Sequence, residues 1–378
     1  MLQPALLTLV SGASSSWHTL LHPPTNSMMQ FGADNTNVIQ RRKIVNIYFD
    51  CNTDTIDGID LYNLVDSEFD DVDIASCHGT ATNYSYHLRT VGNTHNYSNY
   101  NNVYVGGVID ADGPYENGVS LGRNSANANA WVFFGTKILG HLSSPGTGGT
   151  GLDFEGAAGG IYGGTVSDWD VGITVASNNP GSGQIGGFHI SGNYIENNAY
   201  YGIRLGNAGA AGGKAVGVTI DGNYINCNSI GQYGVELEQT SGYSIISNYL
   251  PSCTSAPIRG LSDATNQGAD NGFVGSNFIY GAQPVSLSGS GNTVTTSFST
   301  QSAAYTLAGT DTWINVTGTT TVTVPHALTG QKWDVFNSGA GTVTLVCDSG
   351  TINGASSLSL AANSGQSITV DGTNCFAH

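Results

Sequence analysis

From residue 187 to residue 280 apolar and polar positions alternate in runs of four or five, and each run is introduced by Gly, Asn or Pro. Gly187-Phe188-His189-Ile190, Gly192-Asn193-Tyr194-Ile195 and Gly202-Ile203-Arg204-Leu205 form one set, and Gly217-Val218-Thr219-Ile220, Gly222-Asn223-Tyr224-Ile225 and Gly234-Val235-Glu236-Leu237 form the next. Two further sets follow, so the anchors Asn193, Asn223, Asn248 and Asn277 stand 30, 25 and 29 residues apart. Strict alternation over so few residues predicts short strands with one buried and one exposed face. Gly and Asn at the corners suit a backbone that must turn with positive φ. A unit this small cannot bury its apolar face alone. It must stack on copies of itself, which predicts a solenoid of parallel strands. The four Asn then lie one above another inside a corner, as a hydrogen-bonded ladder with a structural role. Gly118-Val119-Ser120-Leu121, Gly151-Leu152-Asp153-Phe154 and Gly172-Ile173-Thr174-Val175 read as earlier copies of the Gly202 strand.

After about residue 295 the repeat gives way to strands such as Thr321-Val322-Thr323-Val324 and Ser367-Ile368-Thr369-Val370 separated by small turns. These predict a separate small antiparallel β-sandwich over 296–378. The Gly-Asn-x-Ile repeat resembles the right-handed parallel β-helix of the pectate-lyase-like kind. Thr351 to Leu360, with Asp371-Gly372-Thr373-Asn374, resembles the small β-domains that end many bacteriophage tail spikes and fibres; an aromatic residue often follows the last Asn there, and here it is Cys375. The expected organisation is all-β. It comprises a cap or virion-attachment segment over 1–40, a parallel β-helix over 41–295 and the β-sandwich over 296–378. The resemblance implies a tailspike, a homotrimer carried on the virion tail and joined to tail or baseplate proteins through its N-terminus. Its partner would be a host surface polysaccharide, bound and hydrolysed at the cell surface. A non-enzymatic receptor-binding spike and a secreted bacterial polysaccharide lyase or hydrolase are the rival readings.

Composition narrows the partners. Charged residues make up 10% of the chain and the net charge is −17. That surface repels nucleic acid and anionic bilayers alike. No stretch approaches the ~18 apolar residues of a membrane span, and Met1 to Val10 lacks the basic flank of a signal peptide. The six cysteines have no zinc or redox spacing and read as buried free thiols made in a reducing compartment. The nine histidines show no metal-ligand spacing, so no metal and no cofactor are expected. The acidic run Asp50 to Asp73 reads as a solvated face, and Asp110, Asp112 and Glu116 as a turn.

Equivalent positions on successive coils of a solenoid lie ~4.8 Å apart. Aligning the Gly202 strand puts Ser120, Asp153, Thr174, Arg204, Glu236, Arg259 and Ser286 in one outward column, with Glu236 as an acid or base. Just ahead of that strand, Ser167-Asp168-Trp169-Asp170 occupies the place of Glu196 to Tyr201 on the next coil. Paired carboxylates one or two coils apart match glycosidase geometry, which makes Asp168, Asp170, Glu196 and Glu236 the catalytic candidates. Trp169, Tyr200, Tyr201 and Tyr233 offer flat faces for sugar rings, and Arg204 and Arg259 complete the substrate-binding set. The alternative for the same residues is an exposed ion-pair ladder, with corner acids that satisfy turns.

Overall fold

The computed structural model describes residues 27–378 except 32–37, 53–54, 92–98, 123–127, 143–144, 177–184, 207–213, 228–230, 252, 254, 262–267, 280–284, 288–291, 295–297, 309–310 and 329–330. Every regular element among the described residues is a β-strand. Ten strands follow one another up a single parallel sheet: Ser27–Phe31, Asp57–Leu61, Ser85–Thr90, Glu116–Leu121, Thr150–Phe154, Val171–Val175, Tyr201–Leu205, Tyr233–Leu237, Ala256–Gly260 and Ser286–Leu287. The predicted copies of the Gly202 strand are therefore its vertical neighbours. The stack starts earlier than the expected residue 41, because Ser27-Met28-Met29-Gln30-Phe31 alternates buried and accessible positions and pairs with Asp57–Leu61. The rest of the expected N-terminal segment, 1–26 and 32–37, lies outside the described residues.

A seventeen-stranded sheet makes the opposite wall and bends into two columns. Phe188–Ser191 pairs with Thr219–Asp221 in one column, and Tyr194–Glu196 pairs with Tyr224–Asn226 in the other. A four-stranded parallel sheet closes part of the third side. Between the two columns runs the asparagine ladder. Asn193 Nδ2 donates to Asn223 Oδ1 (3.0 Å), Asn223 Nδ2 to Asn248 Oδ1 (2.9 Å) and Asn248 Nδ2 to Asn277 Oδ1 (3.0 Å). Each Oδ1 also accepts the main-chain N–H of the Asn one coil before it, at 2.9–3.0 Å. The residue ahead of each Asn has positive φ, supplied by Gly192 and Gly222 (66° and 63°) but by Ser247 and Ser276 on the last two coils. Ile190, Ile195, Ile203, Ile220, Ile225, Val235 and Ile245 point inward in register and are fully buried.

The cysteines are not free. Cys51–Cys77, Cys227–Cys253 and Cys347–Cys375 are disulfides, joining residues 26, 26 and 28 apart in sequence, and no described cysteine is unpaired. The reducing-compartment reading is overturned, because disulfides persist in oxidising surroundings. In a coil of nearly that length the two partners return to the same corner, with Cα atoms 4.8 and 4.9 Å apart in the solenoid pairs.

The C-terminal sandwich is present, with a core of its own around Ile314, Val322, Trp333, Val335, Leu345 and Ile368. Its two sheets have five and four strands. The first three strands of each pair in parallel, continuing the winding of the solenoid, and only Ser364–Val370, Cys375–Ala377 and Leu358–Leu360 add antiparallel. Asp371 Oδ1 accepts from the N–H groups of Thr373 and Asn374 (2.9 and 2.8 Å), which fixes the final turn. Cys375, where an aromatic was expected, is fully buried in the third disulfide.

Candidate functional site

The outward column of the ten-stranded sheet falls in the predicted register: Ser120, Asp153, Thr174, Arg204, Glu236, Arg259 and Ser286 are partners on successive strands. Asp60 and Arg89 extend it downward. Arg259 grips Glu236 through Nε (2.6 Å) and a second guanidinium nitrogen, and lies 3.6 Å from the centre of the Tyr233 ring, whose hydroxyl it also meets. Arg204 reaches past Glu236 to Glu238 (2.7 Å) and stands 5.6 Å from the Tyr201 ring. Tyr201 and Tyr233 stack with centroids 6.0 Å apart, and Tyr200 is tilted against Tyr201 at 6.4 Å. Both tyrosines and both arginines remain partly accessible. Their rings and guanidinium groups make a polar and aromatic strip along the wall.

Glu236 is 0% exposed. Burial pushes its carboxyl above the usual range, and the Arg259 hydrogen bonds offset this only in part. It is held as the inner half of an ion pair, a poor position for exchanging protons with a bulky polymer. Glu238, absent from the sequence-based candidates, is Arg204's partner. It lies one residue beyond the strand, in phase with the column but hidden from a pattern count that ends at Leu237.

The other candidates collect at the strand-entry corner. Ser167 pairs with Glu196, and Asp168 donates its N–H to the Glu196 carbonyl at 3.2 Å, so the predicted alignment of the two coils holds. Asp168 has φ +64° and, like Glu196, stays partly accessible; Glu196 accepts from the Tyr194 hydroxyl at 2.8 Å. Asp170 is buried, and its carboxylate accepts from the N–H groups of Gly146 and Gly148 (2.8 and 3.0 Å). Burial raises its carboxyl despite those bonds. Trp169 was expected to offer a sugar-stacking face, but it is 0% exposed. Its indole enters the solenoid between Gly118, Gly140 and Gly151, where a side chain would clash with it, and donates to the Ile138 carbonyl at 3.1 Å. Those three glycines make room for the ring.

A further concentration of titratable groups lies at the first coils. A polar cleft of about 190 Å3 is lined by Thr55, Ile56, Asp57, His78, Asn83, Tyr84, Ser85 and Arg89. Asp57 and Asp60 belong to the run read as solvated, yet both are buried and paired with Arg89 at 2.7 Å. Burial raises the Asp57 carboxyl to about 6 against the opposing pull of Arg89. Beside the cleft, Glu116 is 1% exposed and burial pushes its carboxyl up to about 9. His87 is fully buried and pushed down to about 4, with the Asn117 and Asp110 carbonyls opposing. Desolvation works against Asp112, but hydrogen bonds from His78 and Ser76 hold its carboxyl below the ordinary range. Asp110 ends the strand Val108–Asp110, and the chain bends at Gly113-Pro114-Tyr115 before Glu116, whose inward side chain the spacing does not reveal.

In the column of the seventeen-stranded sheet that holds Tyr194–Glu196, Tyr194, Tyr224, Tyr249 and Phe278 stack in sequence with centroids 4.7, 5.4 and 5.1 Å apart. Tyr194, Tyr249 and Phe278 are 42%, 39% and 47% exposed.

No family model and no curated protein matches the sequence. Among solved structures, the chain is similar to the Dettilon tailspike protein at 13% identity and a TM-score of 0.39, over 84% of this chain and 58% of that one. It is also similar to PfbA, a surface adhesin of Streptococcus pneumoniae, at 9% identity and a TM-score of 0.30, over 85% of this chain and 70% of that one. The chain thus spans less than two thirds of the tailspike's length.

Proposed function

We propose that this chain is a tailspike that binds a host-surface polysaccharide along the strip of the ten-stranded sheet, and hydrolyses it. The observation that carries the reading is the strip itself. Two stacked tyrosines and two arginines, all partly accessible, repeat at the coil spacing on a rigid wall. Rings at that repeat suit the apolar faces of successive sugars, and guanidinium groups suit hydroxyls and carboxylates. Rigid strands hold such groups with little ordering cost on binding. Of the four carboxylates, Asp168 and Glu196 keep access to solvent and stand on neighbouring coils at the same corner. They take the acid and nucleophile roles, whereas Glu236 and Asp170 hold the architecture. The exposed ladder Tyr194, Tyr224, Tyr249 and Phe278 supports a homotrimer of solenoids packed side by side on the virion tail. Attachment to tail or baseplate proteins falls to the N-terminal segment, and the three disulfides suit an extracellular working place.

The test is host capsule or lipopolysaccharide incubated with the wild type and with Tyr201→Ala, Asp168→Asn and Glu196→Gln. Binding by the wild type, weakened at least tenfold in Tyr201→Ala, is expected, together with release of reducing ends that both carboxylate variants lose. Equal binding by Tyr201→Ala removes the strip as the site. Binding without reducing ends, or with an unsaturated-uronate absorbance instead, removes hydrolysis and leaves a receptor-binding spike or a lyase.

A further inference from the structure

The first coils hold a group of side chains that the glycan reading does not use. Glu116 begins the strand Glu116–Leu121 and is 1% exposed, yet neither carboxylate oxygen has a hydrogen-bond partner. Oε1 lies 3.4 Å from His78 Nε2 and Oε2 lies 3.5 Å from His87 Nε2. His78 Nε2 is also 2.8 Å from Asp112 Oδ1, and single donor atoms of His78, Asp112 and Glu116 all fall within 4.8 Å of one another. His87 fixes its own tautomer. Its Nδ1 sits 3.0 Å from the Asn117 carbonyl, which can only accept, so Nδ1 carries the proton and Nε2 of the neutral ring presents a lone pair. That nitrogen has no partner and the ring is 0% exposed. A ring nitrogen of His87 and a carboxylate oxygen of Glu116, both buried, therefore face each other.

We propose that His78, Asp112 and Glu116 form a binding site for one first-row divalent transition-metal ion, of which Zn2+ is the natural probe. An imidazole with two carboxylates suits such ions, with a fourth position left for water, whereas Ca2+ and Mg2+ take oxygen almost throughout. Four-coordinate bonds of roughly 2.0–2.2 Å place ligand atoms roughly 3.3–3.6 Å apart, which brackets the 3.4 Å between His78 Nε2 and Glu116 Oε1. The local backbone keeps the space clear. A Cβ on Gly113 would come within 2.7 Å of Glu116 Oε1 and 2.8 Å of His78 Nε2, so a side chain there would push both donors out of place. His78 follows directly on the Cys51–Cys77 disulfide, which anchors its main chain. An ion enters from the cleft side, where the Asp112 and His78 side chains are 48% and 27% exposed. Once bound, it ties the His78 segment to the turn and strand of the next coil.

The test strips the purified full-length protein with a chelator and titrates it with Zn2+ and, separately, Co2+. One equivalent is expected to bind, with a visible Co2+ absorption of four-coordinate intensity and a melting temperature several degrees above that of the stripped protein. Glu116→Gln and His78→Ala are expected to weaken binding at least tenfold and to lose the metal-dependent rise, while Asp71→Asn, an exposed change elsewhere, keeps both. His78 is part-exposed, so His78→Ala carries the test should Glu116→Gln fail to fold. The proposal is overturned if stripped and loaded wild type melt together with no Co2+ band, which would leave a proton on Glu116 as the bridge to His87. It is equally overturned if either variant binds as tightly as the wild type.

Discussion

Replacing Asn223 by Ala tests whether the corner ladder is what holds successive coils in register. Asn223 is 1% exposed, and its side chain makes four hydrogen bonds. Oδ1 accepts from Asn193 N–H (2.9 Å) and Asn193 Nδ2 (3.0 Å), and Nδ2 donates to the Ile190 carbonyl (2.8 Å) and to Asn248 Oδ1 (2.9 Å). Truncation leaves the Asn193 main-chain N–H without its partner in a corner that water does not reach. Asn248 Oδ1 still accepts the Asn223 N–H (3.0 Å), and Asn193 Nδ2 keeps the Ile161 carbonyl (2.9 Å), so the damage is partial. One or two orphaned buried groups at ~1–3 kcal/mol each, plus a small cavity, give an expected loss of about 3–5 kcal/mol. Urea unfolding followed by the fluorescence of the buried Trp131 and Trp169 reads it out. Asn223→Asp sharpens the test, because an ionised carboxylate cannot donate to the Ile190 carbonyl or to Asn248 Oδ1. That variant should be less stable still at neutral pH and recover part of the deficit in acid, where a protonated acid donates once. A loss below ~1 kcal/mol for Asn223→Ala, the scale of one ordinary solvent-exchangeable hydrogen bond, would refute the ladder as a determinant of register.

Other consequences can be measured independently. Arg259→Met strands Glu236 in a buried position and should cost about 3–5 kcal/mol, most of it recovered when Glu236→Gln is added; an unaffected melting curve would mean that the pair is dispensable. Asp57 has its carboxyl raised to about 6 by burial, so the folded state holds this proton more tightly than the unfolded chain does. Its contribution is therefore fully present below about pH 4 and lost as pH rises through about 6, by at most about 3 kcal/mol. Asp57→Asn should flatten that part of the stability profile. Double replacement of Cys227 and Cys253 by Ser opens a loop of 26 residues and should cost about 3 kcal/mol in denaturation, while thiol titration of the unreduced wild type should find no free cysteine. Serine at Tyr194, Tyr249 and Phe278 together should reduce a sedimenting trimer to monomers, and an unchanged sedimentation coefficient would discard that face as the interface.

The trunk was legible because its rule is periodic. Alternation, corner glycines and recurring asparagines each specify the same stacking, so the Asn ladder and the Ser120-to-Ser286 column follow by alignment alone. The cysteines obeyed the same rule. The two solenoid pairs are each 26 residues apart, close to one coil, so their pairing follows from the repeat and not from any metal or redox spacing. Trp169 departs from the pattern for a different reason: a corner residue points inward or outward according to the room its neighbours leave, and Gly118, Gly140 and Gly151 supply that room from three separate segments. The depth of Glu236 and Glu116 depends on which long side chains fold over them, and no one-dimensional pattern carries that. Catalytic assignment suffers most, since it turns on accessibility at corners rather than on register along strands.

The coils differ in length, with 30, 25 and 29 residues between successive ladder asparagines, although their strands remain paired without a slip. All the slack is therefore taken up in the connections between walls, and none by the walls themselves. A mutation that lengthens or shortens one connection leaves the neighbouring storeys aligned, because loop closure grows costly only slowly with length. Such a scaffold can revise the outline it shows to the outside one storey at a time, so diversification at the rim is cheap while the shaft stays conserved in shape.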